Sequence, residues 1–324
     1  MKYRQLGKTG LNVSEIGFGA WAIGGSWGPQ NESDSIAALN KAIDLGVNFI
    51  DTAAGYGDGK SERLIGQVLK NRKEQVWVAT KTPPRPGYWP PSPYCNVEER
   101  YPEQYIRENV EQRLKNLGTD SLDLLQLHTW TRAWNKNPKP FEVLRKLQSE
   151  GKIKNIGVST PEPDQDSVID LIRGGFVDTV QLIYNIFEQD VASELLPTAL
   201  EYNVGIIVRV VFDEGVLTGK YTVDSEFPEG DFRNTYFAGD RLERAVKRVE
   251  KTKETIADTG MTLPEVALKF ALAHPAVSTV IPGIRSVSQA ESNIAASDSK
   301  PLSDELILKL HDHAWRRGSW YSGK

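Results

Sequence analysis

What this chain has little of narrows its class. Cysteine occurs once in 324 residues, as Cys95, so no internal disulfide framework exists and a reducing compartment is expected. Cys95 lies in a proline-rich stretch and reads as an incidental thiol. No run approaches the roughly 18 apolar residues of a membrane span, and the N-terminal MKYRQLGKTG lacks the apolar core of a secretion signal. Neither sign of charge dominates. The 39 Lys and Arg against 43 Asp and Glu leave a net charge of -4, which offers no basic footprint for nucleic acid. Histidine occurs four times, and His311 and His313, two apart on an expected helix, face different directions. That is no spacing for a metal. The GxGxxG turn that opens a doubly wound dinucleotide-binding sheet is also missing. These absences predict a cytoplasmic protein without membrane insertion, nucleic-acid partner or metal site.

What is present is a repeating unit. Apolar runs of four to eight residues alternate with amphipathic segments, the pattern of parallel strands joined by crossover helices. Strands are expected near 16–19, 47–51, 75–81, 122–128, 152–159, 178–184, 204–210 and 278–283. Helices are expected from about 33 to Gly46, then at 59–70, 103–117, 139–150, 164–174, 192–202, across 241–273, and at 286–296. Eight such units close a barrel. The expected fold is therefore an α/β (β/α)8 TIM barrel spanning 1–324 as one domain. Residues 3–5 and 12–14 add an N-terminal β-hairpin, and a further C-terminal helix lies near 303–316.

Two loops exceed the length of a plain connection. One, rich in proline and aromatics, follows Lys81; the other, from Phe212 to Asp240, follows the seventh strand of the repeat. Both leave the strand ends where barrel enzymes do their chemistry. Trp21, Tyr88, Trp89, Trp130 and, in the polar tail, Trp320 are candidates for an apolar or sugar-stacking substrate pocket.

Four side chains carry the chemical signal. Asp51 ends VNFID, Tyr56 follows on a glycine-rich turn, Lys81 ends the next strand, and His128 ends LLQLH. Neighbouring strands of a barrel lie about 5 Å apart, so the four can converge. A free phenol, with a pKa of about 10, is a poor proton donor or base at neutral pH. A nearby ammonium favours its anion, a buried carboxylate holds the ammonium, and an imidazole adds a second donor to an oxygen bound there. This set suits protonation of a carbonyl oxygen as the carbonyl is reduced.

The motifs GFGAW, FIDTAAGYG, ATK, LLQLH, NIGVS, VQLIYN, LTGKY and VIPGIRSVSQAESN, in that order over nearly the whole length, resemble the aldo-keto reductases. The likeness is greatest to bacterial general-stress and inositol-operon reductases and to potassium-channel β subunits. The resemblance implies NADPH held across the barrel's C-terminal face without a Rossmann fold. It implies reduction of an aldehyde or ketone by hydride transfer with Tyr56 as general acid, or alcohol oxidation with Tyr56 as base. Lys81 would lower the tyrosine pKa, Asp51 would pair with Lys81, and His128 would orient the carbonyl.

The resemblance also places cofactor contacts at Ala20, Trp21, Asp51, Ser159, Gln181, Arg209, Gly215, Leu217, Gly219, Lys220, Gly283, Arg285, Gln289 and Asn293. Ser159 and Gln181 would hold the nicotinamide carboxamide, and GVLTGK (Gly215 to Lys220) would offer amides and a cation to the pyrophosphate, with Arg233 as a further cation. Arg285 would meet the 2′-phosphate, a dianion that suits a guanidinium fork, and Gln289 and Asn293 the adenine. Thr160 stands where the family often has Asn, Ser292 where it often has Glu, and Arg209 where it often has an aromatic; the Arg209 guanidinium would lie against the nicotinamide. A small-molecule carbonyl reductase is the first reading. A cofactor-sensing regulatory subunit, as the channel β subunits are, is the alternative.

Overall fold

The computed structural model describes residues 1–25 and 27–315. Among the described residues ten strands are present: β1 (Tyr3–Gln5), β2 (Asn12–Ser14), β3 (Phe18–Gly19), β4 (Phe49–Asp51), β5 (Trp77–Thr82), β6 (Leu122–Leu127), β7 (Ile153–Ser159), β8 (Thr179–Ile183), β9 (Gly205–Arg209) and β10 (Val277–Val280). β1 and β2 form the expected antiparallel hairpin. β3 to β10 pair in parallel, each with its successor in the chain. Single bridges from Ile16 to Val280 and from Gly19 to Gly283 join the first strand to the last and close the barrel. The runs of Val, Ile and Leu form strands because these strands are buried on both faces, against the barrel interior and against helices.

The helices are α1 (Glu32–Asp44), α2 (Lys60–Leu69), α3 (Val97–Arg100), α4 (Glu103–Leu117), α5 (Lys139–Ser149), α6 (Ile169–Arg173), α7 (Leu195–Glu201), α8 (Phe232–Tyr236), α9 (Arg241–Ile256), α10 (Leu263–Ala273), α11 (Val287–Ala295) and α12 (Asp304–His311). Their ends follow local chemistry. Thr262, Ser286 and Ser303 accept from the backbone N–H three residues on, capping α10, α11 and α12. The stretch 241–273 is two helices, because Gly260 at φ 69° turns the chain between them. Proline at 161 and 163 keeps 162–168 in 3₁₀ turns, so α6 begins only at Ile169. The short α3 and α8 sit inside the two long loops and are capped by Asn96 and Asp231.

The hairpin acts as a floor. Leu6, Leu11 and Val13 pack against Phe49, Ala79, Leu124, Ile207 and Ile281 inside the barrel. These side chains fill the N-terminal end of the barrel and leave the loops at the C-terminal ends of the strands as the open face among the described residues. Among the described residues, no helix is long and apolar enough to cross a membrane.

Candidate active site

Asp51 is the last residue of β4, and its register partner on β5 is Ala79. Lys81 stands two residues beyond Ala79, hence on the same inward face. Its register partner on β6 is Gln126. Lys81 is fully buried, and its three ammonium protons meet three acceptors: Asp51 Oδ1 at 2.5 Å, the Thr52 carbonyl at 2.9 Å and the Tyr56 hydroxyl at 3.2 Å. The second carboxylate oxygen of Asp51 accepts from Gln181 Nε2 at 2.7 Å and Gln126 Nε2 at 3.2 Å. An acceptor-only carboxylate with three donors is well suited to hold a buried cation.

Tyr56 reaches this cluster because two loops pack backbone against backbone. Gly57 has φ 62°, and a Cβ there would lie 2.2 Å from the Gly24 carbonyl oxygen; a Cβ on Gly24 would lie 2.7 Å from the Tyr56 carbonyl carbon. Glycine at both positions lets the β4–α2 turn close and aims the phenol at Lys81. The Tyr56 and His128 rings meet edge to face at 6.0 Å, which brings the fourth predicted residue to the same spot.

The electrostatics assign protonation states. For Lys81, burial opposes the charge, but Asp51 and then Tyr56 outweigh it and hold the ammonium above its usual value. For Tyr56, burial raises the phenol pKa and Lys81 lowers it only in part, so the net direction is upward. The sequence reading expected a lowered value; taking a phenolate out of water costs more than one neighbouring cation returns. Tyr56 therefore rests as a neutral phenol, the form that can donate a proton. Burial, helped by the Lys81 and Arg209 cations, holds His128 well below the usual imidazole range, which leaves a neutral ring with one N–H to give.

Aromatic rings wall the space above the tetrad. Trp21 lies 6.4 Å from the Tyr56 ring and also meets Trp27 at 5.5 Å and Phe232 at 5.6 Å. Trp89 stands edge-on to His128 at 5.5 Å. Tyr88 points to solvent. Trp130 corrects the sequence reading: it is fully buried, bonded through Nε1 to Asn135 Oδ1 and packed against Trp134 and Phe141, because the chain turns inward after His128. Trp320 lies outside the described residues.

The residues expected to hold a cofactor form an arc around the mouth. Ala20 is buried just past the end of β3, and Ser159, the last residue of β7, is the register partner of Gln181 in the middle of β8. Arg209 ends β9, where its Nη2 donates to the Thr160 carbonyl at 3.0 Å and to Glu162 Oε1 at 2.9 Å. The turn at 215–219 departs from expectation. The N–H groups of Gly215 and Leu217 both bond the Phe212 carbonyl, and that of Gly219 bonds the Val216 carbonyl, so the turn satisfies its own amides; Lys220 is left exposed at its end. Arg233 is engaged too, in a fork with Asp231 and flat against Trp27 and Phe227. Beyond the exposed Gly283, Arg285 Nη1 donates to the Trp27 carbonyl at 2.6 Å, and its backbone N–H is capped by Gln289 Oε1 at 2.9 Å. Asn293 is buried one helical turn further on.

Sequence reasoning missed Gln126, Glu162, Trp27 and Phe232. Gln126 had a signal, a polar residue two before His128 in an otherwise apolar strand and so on the same face. Phe232 and Trp27 had none, since only the folding of two loops over the mouth brings them to Trp21.

A parallel barrel with an Asp–Lys–Tyr chain and a histidine at its mouth has the proton donor and the orienting groups of a barrel oxidoreductase. Residues 15–314 match the Aldo/keto reductase family, and the chain belongs to that family. The aldo-keto reductase YhdN of Bacillus subtilis (strain 168) is 33% identical over 300 residues, covering 90% of this chain and 87% of its own length. The NADH-specific methylglyoxal reductase of Escherichia coli (strain K12) is 32% identical over 317 residues, covering 91% and 93%. The holo form of aldo-keto reductase AKR11C1 from Bacillus halodurans superposes with a TM-score of 0.77 at 28% identity, covering 98% of each chain.

Proposed function

We propose that this chain is an NADPH-dependent carbonyl reductase for small aldehydes or ketones, running in reverse as an alcohol dehydrogenase. The observation that carries this is the contact chain Asp51–Lys81–Tyr56 with the His128 ring beside the phenol. The mouth also suits a nicotinamide dinucleotide. Cβ atoms added at Gly55 or Gly283 would meet nothing within 4 Å, which leaves open space at either side of the strand ends. The donors around it (Ser159, Gln181, Arg285 and Asn293) match amide, phosphate and adenine chemistry.

NADPH, when bound, supplies the hydride. The protein's part is orientation and the proton. A carbonyl oxygen bounded by Tyr56 and His128 receives an N–H from the neutral imidazole and an O–H from the neutral phenol. As negative charge develops on that oxygen, the phenol proton moves to it, and the Lys81 ammonium 3.2 Å away stabilises the phenolate left behind. Asp51, held by two amides, keeps Lys81 charged and pointed at the phenol. Trp21 and Trp89 offer an apolar, aromatic wall to the substrate, which favours aromatic or short aliphatic aldehydes.

The test is steady-state NADPH oxidation over a panel of aldehydes and ketones, beside Tyr56→Phe. Turnover near the ordinary 10 s⁻¹ scale on some substrate, lost in Tyr56→Phe while NADPH affinity is kept, is expected. Turnover below about 10⁻³ s⁻¹ on every substrate with intact NADPH binding would assign the site to cofactor sensing instead.

A further inference from the structure

A second ion pair stands beside the tetrad. Arg209 ends β9, and Glu162 lies in the turns after β7, so the bridge between them passes over β8, whose Gln181 is in register with Ser159 on one side and Ile207 on the other. Both side chains are largely covered, at 17% and 14% exposed. The Thr160 carbonyl takes the same Nη2 and fixes the plane of the guanidinium. The backbone just beyond is strained. Val210 has φ 54°, a conformation a β-branched residue rarely adopts, and Asn185 Nδ2 pins its carbonyl at 2.9 Å. The backbone directly after Arg209 is therefore held in one conformation. Its charge reaches the reacting groups, favouring the phenolate of Tyr56 and the neutral ring of His128.

We propose that Glu162 is a positioning residue which, through Arg209, sets how strongly this protein distinguishes oxidised from reduced nicotinamide. The proposal rests on the function proposed above and on the placing that the family resemblance implies, with Ser159 and Gln181 at the carboxamide and Arg209 against the ring. The oxidised ring carries a positive charge and the reduced ring is neutral. A guanidinium against the ring therefore repels only the oxidised form, whereas an aromatic at this position would attract it. A carboxylate 2.9 Å from that guanidinium cancels most of the repulsion. The pair is then nearly neutral toward both forms, and each half alone biases the site in the opposite direction.

The experiment measures Kd for NADPH by fluorescence titration and for NADP⁺ by competition. It compares the wild-type protein with Glu162→Gln, Arg209→Leu and the double variant. Glu162→Gln should raise the ratio Kd(NADP⁺)/Kd(NADPH) about tenfold or more, equivalent to about 30 mV for a two-electron couple. Arg209→Leu should lower the ratio, and the double variant should return it close to the wild-type value. A Glu162→Gln protein that weakens both forms equally has lost only structure and overturns the proposal. So do single variants that move the ratio the same way. If Glu162→Gln does not fold, Arg209→Leu carries the test alone, and a ratio that fails to fall overturns the proposal. A wild-type protein that binds neither nucleotide defeats the proposed function and this inference with it; binding with an unmoved ratio defeats this inference alone.

Discussion

Lys81 has no solvent and no spare proton: one ammonium, three acceptors, one of them the phenol it serves. That economy makes the pH behaviour of the reaction predictable. Burial holds Tyr56 above the ordinary phenol value, with Lys81 opposing only in part. Reduction needs the phenol protonated, so its rate should persist as pH rises and fall only as pH passes through a pKa above the usual value of about 10. Oxidation needs the phenolate and should rise over the same alkaline range. His128, held well below its usual value, stays neutral through physiological pH, so any acid limb it causes lies on the acid side of about 6.5. Profiles of kcat against pH in both directions check this. An alkaline limb centred near pH 7 in reduction would contradict a buried phenol donor.

At the scale of elements, β5 has two faces with different tasks. Lys81 points inward to the chemistry; Thr80 points outward and donates to Glu62 on α2 at 2.6 Å. The same fully buried carboxylate accepts from Arg113 and Asn116 of α4, each at 2.7 Å. This cluster ties the strand that carries the catalytic lysine to two helices. Burial raises the Glu62 pKa, with Arg113 the first of the groups opposing it. A raised folded value means that its contribution to stability is largest at acid pH and is lost as pH rises through that value. Arg113→Met removes the opposing cation and leaves the carboxylate stranded. The expected cost is about 3–5 kcal/mol by urea denaturation at neutral pH, shrinking as pH falls and Glu62 takes up a proton. A loss below about 1 kcal/mol, or one independent of pH, would show that the pair is not a tie between these elements.

For the whole molecule, the closed barrel makes one rim from the ends of eight strands and the loops between them. A ligand that spans the rim from β7 and β8 to α11 touches elements far apart in sequence, so its binding should stabilise the whole fold. NADPH at 100 times its Kd should add about 2.7 kcal/mol to unfolding. Arg285 already spends one N–H on the Trp27 carbonyl, and the rest of its fork is the candidate 2′-phosphate contact. Arg285→Ala should lose most of the NADPH stabilisation at the same concentration and leave the NADH effect unchanged, measured by thermal unfolding with each nucleotide. An unchanged NADPH/NADH affinity ratio would remove Arg285 from that role. The NADH-specific relative makes this comparison informative.

The amino-acid order alone determined the repeat of strand and helix, the hairpin at 3–5 and 12–14, and the placing of Asp51, Lys81 and His128 at or just past the inner ends of successive strands. Those features are written in local periodicity, which depends only on whether a residue faces core or water. Contacts between segments that periodicity does not relate needed the tertiary structure. It moved Trp130 from the mouth to the core. It spent the amides of 215–219 within their own turn, and it folded Phe232 and Trp27 over Trp21. It also reversed the sign expected for Tyr56, because a pKa depends on how much water the fold removes as well as on which charges lie nearby. Sequence spacing brings a lysine to a tyrosine; only the packed barrel sets what leaving water costs the phenolate.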